Sequence, residues 1–422
     1  MSEDRVLATY LIETPHSLEH AAAMIAGEQS SGTFVSVPGE TNELKERFGA
    51  QVLSIEPLGT VDLPGLPGSK PPKSNAANPV YRRGRIVVSF PLHNFGPSLP
   101  VLLSTVAGNL YELQEVSGVR LEDLVLPPAF ARAYPGPGFG IEGTRQLAGV
   151  TGRPLIGTII KPSIGLPVAA IATLVEDLTT AGLDFIKDDE LQANPPYAPL
   201  EQRVAAVMPV IERVADATGR KAMYAFNITG DIDHMLRAHD LVKKHGGTCV
   251  MINVNSVGVA ALAHVRRHCD LPIHGHRANY GAMARHPLLG MGFSAFQKVF
   301  RLAGIDHLHV GGFDGKFYET NEEVARSIRD CLTPQFGDKC LLPAVSSAQW
   351  AGTAVPIHAA TGTADILHLA GGGIIAHPGG TAAGVLSMQQ GWEAALSGTR
   401  LQDYAATHPE LQAAIEKFGG RV

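Results

Sequence analysis

Residues 187–190 read Lys-Asp-Asp-Glu, and two acids beside a lysine can bind a divalent cation. The apolar run at 182–186 predicts a buried strand that ends in this segment. Because side chains alternate along a strand, Lys187 and Asp189 share one side and Asp188 points the other way. Glu190 stands where the strand turns. A surface ion-pair cluster is the alternative, but two acids at a buried strand end are costly unless a cation compensates them. Carboxylate oxygens favour Mg²⁺ over zinc, so the segment predicts a magnesium site.

Two later segments carry paired histidines: 274–277 reads His-Gly-His-Arg, and 307–309 reads His-Leu-His. Such pairs also occur in zinc amidohydrolases of the barrel class, where the pair lies on the first strand and precedes the bridging lysine. Here both pairs follow Lys187, and this order disfavours a zinc hydrolase. His276 and Arg277 end their strand and are the better site candidates. His274 and His307 are expected to be histidines of the core.

Three further segments end predicted strands with residues that suit an anionic ligand. Lys161 is a candidate proton shuttle or phosphate contact, with a surface lysine as the alternative. Lys316 follows glycines in residues 311–316, which favours a lid that carries a cation, although an ordinary surface loop is as common. Ser346 and the glycines 371–373 follow the seventh and eighth strands, where backbone N–H groups commonly bind phosphate.

The elements that must position these residues follow one pattern. Short apolar runs alternate with helical segments such as 169–181 and 200–217, and eight β-then-α units fit a parallel (β/α)₈ barrel. A doubly wound open sheet is the rival, but it usually has a glycine fingerprint after its first strand, and none occurs here. The predicted strands are 155–160, 185–187, 222–227, 250–254, 272–276, 307–310, 341–345 and 366–369.

Residues 1–135 are predicted to form a separate N-terminal α+β domain, and residues 136–422 the barrel domain. Strands are expected at 6–11, 33–37, 51–54 and 85–89, and a helix at 18–26. The stretch 58–79 is dense in glycine and proline and predicts a loop. The fold class is therefore α/β, with a C-terminal barrel after an N-terminal α+β domain.

Composition excludes several classes of function. The chain has 422 residues and a formal net charge of −6, without the basic surplus expected of a partner for nucleic acid or an anionic membrane. No apolar run reaches the roughly 18 residues of a membrane helix, and residues 1–14 lack the apolar core of a signal peptide. The four cysteines form no CxxC pair. A cytoplasmic location is the expectation.

Residues 182–190, Gly-Leu-Asp-Phe-Ile-Lys-Asp-Asp-Glu, resemble nearly residue for residue the metal segment of the ribulose-bisphosphate carboxylase/oxygenase (rubisco) large subunit. The resemblance covers most of the chain. It implies that CO₂ carbamylates Lys187 and that the carbamate binds Mg²⁺ together with Asp189 and Glu190. A carbamate turns the lysine from a cation into a third oxygen ligand, which agrees with the carboxylate chemistry of the segment.

The same resemblance implies roles for residues outside the metal segment. Lys161, Lys187, His276 and Lys316 are the expected catalytic residues, Lys161 as a proton-transfer group and Lys316 as the lid lysine. Residues expected to complete a neighbouring subunit's site would make a homodimer with shared active sites the smallest catalytic unit. The expected substrate- and phosphate-binding residues are Arg277, His309, Ser346, Gly371, Gly372 and Gly373, with Glu28, Thr33 and Asn109 supplied to the neighbouring subunit.

Departures from the carboxylase pattern argue against CO₂ fixation. Ser163 replaces a second lysine, Tyr280 replaces a histidine, and Phe34 replaces a tryptophan. Residues 346–348 read Ser-Ser-Ala in place of Ser-Gly-Gly. The chain is therefore similar to the form IV, rubisco-like proteins, which keep metal-assisted enolate formation and use it in other reactions.

The favoured function is decarboxylation of a phosphorylated β-keto sugar acid such as 3-oxo-isoapionate 4-phosphate, because loss of CO₂ from a β-keto acid yields an enolate. The enzyme would be a carboxy-lyase or an isomerase. One alternative is an enolase or isomerase acting on a methylthio-sugar phosphate in methionine salvage, although salvage enolases typically lack a His-Arg pair like His276-Arg277. A non-catalytic regulatory protein is the other alternative, disfavoured because all three metal-ligand positions remain.

Overall fold

A computed structural model of the chain describes residues 4–32, 37–69, 79–337 and 339–420. Its strands, in chain order, are β1 (Arg5–Thr14), β2 (Gln51–Val61), β3 (Tyr81–Pro91), β4 (Gly118–Val125), β5 (Leu155–Ile159), β6 (Phe185–Lys187), β7 (Met223–Asn227), β8 (Cys249–Asn253), β9 (Ile273–His276), β10 (Leu289–Met291), β11 (His307–Gly311), β12 (Leu342–Val345) and β13 (Leu367–Leu369). Its α-helices are α1 (Leu18–Glu28), α2 (Asn42–Phe48), α3 (Leu99–Ala107), α4 (Ala129–Ala133), α5 (Gly140–Ala148), α6 (Val168–Thr180), α7 (Leu200–Thr218), α8 (Ile232–Lys244), α9 (Val254–His268), α10 (Tyr280–Ala284), α11 (Phe293–Ala303), α12 (Asn321–Leu332), α13 (Ala354–Thr361), α14 (Gly371–Ile375), α15 (Gly380–Ser397), α16 (Leu401–Ala405) and α17 (Pro409–Phe418).

The chain divides into two compact units. The first runs to Pro135 and also includes Asn279–Leu302, and the second comprises Gly136–Ala278 and the chain from Ala303 onward. None of the described helices is both long enough and apolar enough to cross a membrane.

A five-stranded sheet in the order β10-β4-β1-β3-β2 forms the first unit. The neighbours β4, β1, β3 and β2 pair antiparallel, and the short β10 joins β4 in parallel. Along β1, buried and partly exposed residues alternate from Arg5 to Ile12, as expected when one face of a sheet packs on a core. Helix α1 begins at an N-cap in which Ser17 accepts from the backbone N–H of His20. Buried apolar residues of this helix, among them Ala21, Ala22 and Ile25, contribute to the core.

Eight parallel strands close the barrel of the second unit, in the order β11-β12-β13-β5-β6-β7-β8-β9. All residues of β5, β6, β7 and β8 are buried, which is the pattern of parallel strands covered on both faces. The pairing places Lys187 of β6 opposite Ile159 of β5 and Ala225 of β7. The carboxyl ends of these strands therefore bring the residues that follow them to one rim.

The prediction of a barrel after an N-terminal α+β region is confirmed, and the eight observed barrel strands match the predicted ones to within one residue at either end. The loop predicted at 58–79 is wrong at its start, because β2 continues to Val61. Residues 62–69 are irregular, and 70–78 lie outside the described residues. Residues 33–36 of the strand expected at 33–37 also lie outside them. Neither β4 nor β10 was predicted from the sequence, and β10 lies between two barrel strands in the chain but pairs with β4.

A buried carboxylate ties the amino ends of the barrel strands to helix α5. Asp306, fully buried just before β11, accepts hydrogen bonds from the backbone N–H groups of Phe139 (2.5 Å), Gly140 (2.9 Å) and Ile273 (2.8 Å). Arg266 completes the set with a salt bridge of 3.0 Å. The carboxylate thus holds the first turn of α5, and with it the residues that α5 places beneath the histidines of β9 and β11.

We expect Asp306→Asn to lower the free energy of unfolding by roughly 3 kcal/mol, because it leaves a buried guanidinium unpaired and turns an amide N–H₂ toward backbone donors. Urea unfolding followed by circular dichroism measures the change. The matched control is Asp365→Asn, whose carboxylate pairs with Arg145 of the same helix but is 46% exposed. It should cost less than about 1 kcal/mol. Equal losses in the two variants would contradict the role given to Asp306.

Candidate active site

Residues 187–190 lie at the carboxyl end of β6, with three of the four side chains grouped at one rim of the barrel. Lys187 Nζ is 3.9 Å from Glu190 Oε2, and Lys161 Nζ, beyond the end of β5, is 2.7 Å from Asp189 Oδ2. Lys187 is fully buried and Asp189 is 2% exposed, whereas the Glu190 side chain is 37% exposed. Two amines and two carboxylates therefore share one partly closed site.

Asp188 points away from this group, as the alternation along the strand predicts, and organises the surrounding backbone instead. Its carboxylate accepts from Tyr224 Oη (2.7 Å), the backbone N–H of Asn227 (2.9 Å) and Arg203 Nη2 (3.0 Å). Arg203 also donates to the carbonyl oxygens of Ala198, Gln192 and Ala193. This buried ion pair is fully hydrogen-bonded on the carboxylate side, and it holds the turn that follows the candidate metal ligands.

Two asparagines at the ends of β7 and β8 hold the same turn from the other side. Asn227 Nδ2 donates to the carbonyl oxygens of Asp189 (3.1 Å) and Glu190 (3.2 Å), and Asn253 Nδ2 donates to that of Glu190 (3.0 Å). Sequence reasoning did not identify these residues. The available signal was their position, because both are polar residues that end fully apolar strands at the rim where active sites form.

The Lys187 amine has an unusual environment for a lysine. Burial lowers its pKa from 10.5 to about 8, although the carboxylates of Glu190, Asp189 and Asp188 act in the opposite direction. Its one close hydrogen bond is to the carbonyl oxygen of Asp188, at 2.8 Å. At this pKa roughly a tenth of the amine is neutral and nucleophilic at pH 7, far more than for an ordinary lysine.

Lys161 is bound to the carboxylate group on one side and to Ser163 on the other. Its Nζ donates to Ser163 Oγ (2.6 Å) as well as to Asp189. Burial raises the pKa of Asp189, but the hydrogen bond from Lys161 and the further donors outweigh this effect and hold that pKa below its ordinary value. Ser163 thus occupies the place of the second lysine of the carboxylase pattern with a neutral hydroxyl.

His276, at the end of β9, faces Glu190. The backbone N–H of Ala278 donates to His276 Nδ1 (3.2 Å), so this nitrogen is an acceptor and Nε2 carries the proton. Nε2 lies 3.5 Å from Glu190 Oε2. Burial first, and then the Lys187 charge, hold the pKa of His276 well below 6.5, so the ring beside Glu190 is neutral.

The remaining histidines of β9 and β11 form a buried row next to His276. His309 packs against His276 with ring centroids 4.5 Å apart, and its Nε2 is 2.8 Å from His274 Nε2. His274 Nδ1 is in turn 3.4 Å from His307 Nδ1. The expectation that His274 and His307 are core histidines agrees with their complete burial.

Arg277 and Lys316 do not join the carboxylate group. Arg277 makes a bidentate salt bridge with Glu319, at 2.9 and 2.5 Å. Lys316 is exposed, its backbone N–H donates to Ser347 Oγ (3.2 Å), and its ammonium lies 5.6 Å from the centre of the Phe317 ring. The segment that is expected to form a lid therefore contacts the turn after β12 through this hydrogen bond.

The expected phosphate glycines differ in their surroundings. A Cβ added to Gly371 would lie 3.5 Å from Lys161 Cε, and one added to Gly372 would meet no atom within 4 Å. At Gly373 an added Cβ would come 2.9 Å from Trp350 Cα and even closer to the Gln349 carbonyl oxygen. Gly373 is thus explained by packing, whereas Gly371 and Gly372 leave an open surface next to Lys161.

Ser346 and the residues expected to serve a neighbouring subunit are placed as follows. Ser346 donates its backbone N–H to the Gly311 carbonyl (2.8 Å). Glu28 ends helix α1 and Asn109 begins the 3₁₀ helix Asn109–Glu112, both in the first unit. Thr33 lies outside the described residues.

A second group with metal-ligand spacing lies on α8 and α9 and consists of the buried His239 and the exposed Asp240 and His268. Asp240 accepts from His239 (3.0 Å) and His268 (2.7 Å), and the hydrogen bond from His268, followed by that from His239, lowers the Asp240 pKa. The other ring nitrogen of His239 lies 3.1 Å from the Asp270 carboxylate and accepts from the backbone N–H of Asp270 (3.3 Å), and Asp270 forms an ion pair with Lys243. These contacts satisfy one another, and we interpret the group as a surface ion-pair network.

Comparisons with known proteins identify the family. The sequence profile of the ribulose bisphosphate carboxylase large chain, catalytic domain, matches residues 140–418, and that of its N-terminal domain matches residues 1–130. The chain belongs to the ribulose bisphosphate carboxylase large-chain family. Its relatives include rubisco-like proteins and also carboxylases, such as the ribulose bisphosphate carboxylase of Archaeoglobus fulgidus at 33% identity over 99% of this chain and 95% of that one. A crystal structure of a rubisco-like protein from Burkholderia fungorum superposes with a TM-score of 0.92 at 47% identity, covering 98% of this chain and all of that one.

Two curated relatives have named activities. The 3-oxo-isoapionate-4-phosphate transcarboxylase/hydrolase of Xanthobacter autotrophicus is 51% identical over 98% of this chain and 99% of its own length. The 3-oxo-isoapionate-4-phosphate decarboxylase of Rhizobium etli is 45% identical over 98% of each chain. The resemblance inferred from residues 182–190 is thereby confirmed at the level of the family.

Acetic anhydride, which reacts with neutral amines, should modify Lys187 at a rate that rises with pH and levels off above about pH 8. Below that pH the rate falls because the amine is protonated. Mass spectrometry of the peptide that contains residue 187 measures the rate. In Glu190→Gln the midpoint should move to lower pH, because the variant lacks a charge that favours the ammonium. A midpoint near the ordinary lysine value of 10.5 would contradict the environment described for this amine.

Proposed function

We propose that the chain is a Mg²⁺-dependent, enolate-forming enzyme that decarboxylates a phosphorylated β-keto sugar acid, with 3-oxo-isoapionate 4-phosphate as the best substrate, and does not fix CO₂. The observation that carries this proposal is full-length similarity, at 51% and 45% identity, to two enzymes named for that substrate. The replacement of a second site lysine by Ser163 supports a reaction other than carboxylation.

The residues at the end of β6 fit a magnesium ion. Asp189 and Glu190 supply carboxylate oxygens, and the neutral fraction of the Lys187 amine can add CO₂, losing one proton to become a carbamate with a third oxygen donor. Asn253 Oδ1, on the residue that holds Glu190, is buried without a hydrogen-bond partner among the described residues, which suits a further donor at this rim. Bound there, Mg²⁺ would hold two oxygens of the substrate and stabilise the charge of an enolate.

We assign the proton transfer that must follow loss of CO₂ to residues of the chain itself. A β-keto acid loses its carboxylate as CO₂ when the bonding electrons pass to the neighbouring carbonyl, and the resulting enolate carbon must take up a proton. Lys161, which is hydrogen-bonded to Asp189 and Ser163, is the proposed proton donor. Lys187 as carbamate, His276 facing Glu190 and Lys316 from the lid complete the proposed catalytic residues.

Substrate binding is assigned to the cationic and glycine-lined parts of the rim. Arg277 carries a guanidinium suited to bidentate binding of a phosphate or carboxylate. Gly371 and Gly372 have open space beside Lys161 and present backbone N–H groups at the start of α14. Gly373, Ser346 and His309 are proposed to line the same ligand, with Glu28, Thr33 and Asn109 contributed by a second subunit.

Transcarboxylation followed by hydrolysis is a second candidate. It is favoured by one specific observation, because the relative named for it is 51% identical to this chain, whereas that named a decarboxylase is 45% identical. The two candidates share a substrate and an enolate but differ in whether the carboxyl carbon leaves as CO₂. An enolase or isomerase acting on methylthio-sugar phosphates and a regulatory protein remain the alternatives with least support, given the retained His276-Arg277 pair and metal-ligand positions.

We further propose a homodimer with shared active sites in the cytoplasm. The family resemblance of Glu28, Thr33 and Asn109 to residues that complete a neighbouring site supports the dimer. All four cysteines are free in the structure, as expected in a reducing compartment.

Incubation of the enzyme, MgCl₂ and bicarbonate with 3-oxo-isoapionate 4-phosphate carrying ¹³C in its carboxyl group should release the label as CO₂ and bicarbonate. Carbon-13 NMR in D₂O follows the label, and deuterium enters the product at the former carboxyl-bearing carbon. Label retained in an organic product would contradict decarboxylation and support the transcarboxylase/hydrolase candidate. Deuterium exchange into the substrate without consumption of the label would support an enolase, and no change in the substrate would refute the proposed substrate.

Lys187→Ala should lower the rates of Mg²⁺-dependent turnover and solvent proton exchange by a factor of about 10³ or more, because it removes the amine that would carry the carbamate. The assay is the same NMR experiment with and without EDTA. Lys244→Ala is the matched control, since this exposed lysine lies on the outer helix α8 and should keep wild-type activity. Full activity of Lys187→Ala would rule out the carbamate.

A further inference from the structure

Four hydrogen-bonding groups form a continuous row from helix α5 to the rim of the barrel. Thr144 Oγ1 lies 2.8 Å from His307 Nε2, His307 Nδ1 lies 3.4 Å from His274 Nδ1, and His274 Nε2 lies 2.8 Å from His309 Nε2. Thr144, His307 and His274 are fully buried and His309 is 7% exposed. The row therefore has a closed end at α5 and an open end at the rim, next to His276.

The closed end determines which partner donates in the first hydrogen bond. The single hydroxyl proton of Thr144 is used in a 2.5 Å hydrogen bond to the Gly140 carbonyl, one turn earlier in α5. Toward His307 the hydroxyl oxygen can therefore only accept, so His307 Nε2 must carry a proton and donate. Burial lowers the pKa of His307 to about 4, which makes the ring neutral, and a neutral ring with a proton on Nε2 has a bare Nδ1.

The same requirement passes along the row, because two bare nitrogens or two N–H groups cannot bond to each other. His274 must donate from Nδ1 to the bare Nδ1 of His307, which leaves its own Nε2 bare. His309 must then donate from Nε2 to His274, which leaves His309 Nδ1 bare. Burial, followed by the neighbouring histidine rings, holds the pKa of both His274 and His309 well below 6.5, so neither ring gains a second proton near neutral pH.

The open end of the row is available to a ligand. Among the described residues, His309 Nδ1 has no hydrogen-bond partner, and it is not one of the polar atoms buried without one. His276, its neighbour at the rim, has the opposite polarity, because its Nδ1 accepts from Ala278 and its proton is on Nε2, 3.5 Å from Glu190 Oε2. The rim thus offers one imidazole donor and one imidazole acceptor side by side.

We propose that Thr144, through His307 and His274, holds His309 in the tautomer with a bare Nδ1 at the rim, so that His309 accepts a hydrogen bond from a substrate hydroxyl. This inference deepens the proposed function, and the part that concerns the substrate hydroxyl rests on it. A dianionic phosphate has only acceptor oxygens and is disfavoured at this nitrogen, so the phosphate falls to Arg277 and the glycine-lined surface. Thr144, His307 and His274 are positioning residues, since they act through His309.

The row is suited to holding a polarity and not to conducting protons. A proton that entered at His309 would have to leave at the closed end, where the Thr144 hydroxyl faces a helix carbonyl in a buried environment. A proton relay needs a group that can exchange protons at each end, and this row has such a group at the rim but not at α5. Its effect on the reaction is therefore a fixed orientation of His309.

Neutron diffraction from crystals of the perdeuterated, ligand-free protein tests the tautomers without any substrate. We expect deuterium on Nε2 of His307, Nδ1 of His274 and Nε2 of His309. Deuterium on Nδ1 of His309 would overturn the proposal. In Thr144→Val the acceptor for His307 is lost, and reversal of the row, with deuterium on Nδ1 of His309, is the expected result.

Kinetics on the labelled substrate test the consequence. Thr144→Val should lower kcat/KM by about tenfold, the effect of losing one substrate hydrogen bond, whereas Thr144→Ser, which keeps the hydroxyl, should restore it. Thr179→Val is the matched control for folding, because Thr179 makes the same bond one turn back in α6, to Val175 (2.7 Å), and its hydroxyl has no hydrogen bond to a histidine among the described residues. It should match the wild type in kcat/KM.

The outcomes separate this inference from the proposed function. An unchanged His309 tautomer together with unchanged kcat/KM in Thr144→Val would refute the positioning role. Equal losses in Thr144→Val, Thr144→Ser and Thr179→Val would also refute it, since they would reflect packing alone. If the tautomers are as expected but the wild type does not act on 3-oxo-isoapionate 4-phosphate, the proposed function fails while the orientation of His309 stands.

Discussion

The burial of the Lys187 amine at the end of β6 is the constraint on which the rim of the barrel depends. An ammonium taken out of water is destabilised, and this is why its pKa falls to about 8 despite three carboxylates nearby. The other residues of the rim neutralise or hold the charged groups next to this amine. Lys161 neutralises Asp189, His276 lies 3.5 Å from Glu190, and the backbone of the turn is held by Asn227 and Asn253.

Adjacent aspartates on this strand have opposite roles because alternation sends them to different environments. Asp189 faces the interior and shares the open rim with two lysines, where it is available to a cation. Asp188 faces outward from the barrel axis and is saturated by Arg203, Tyr224 and the backbone of Asn227. The buried pair of Asp188 and Arg203 thereby fixes the position of Asp189 without approaching the ligand.

The buried histidines of β9 and β11 also have polar atoms that are satisfied by neighbouring groups, and these groups are neutral. In most of the barrel interior, apolar side chains such as Phe185, Met251 and Leu367 fill the space. Beside them His274 and His307 satisfy one another and Thr144, so that polar atoms extend from the closed end of the barrel to the rim. Such a row is costly if any member is unpaired, which favours one arrangement of its protons.

The sequence by itself determined the barrel, its eight strands and the direction of Lys187, Asp188 and Asp189, because periodic burial and alternation are local properties of the chain. It also indicated the family, because nine consecutive residues resemble the metal segment of the rubisco large subunit. Local patterns did not predict β4 and β10, which form by pairing strands distant in sequence. Nor did they reveal that Arg277 pairs with Glu319, that Gly373 is required by packing against Trp350, or that Thr144 lies beneath His307. Those facts depend on which side chains meet across the barrel. That is decided by the closure of the sheet and by the requirement that each buried polar group find a partner.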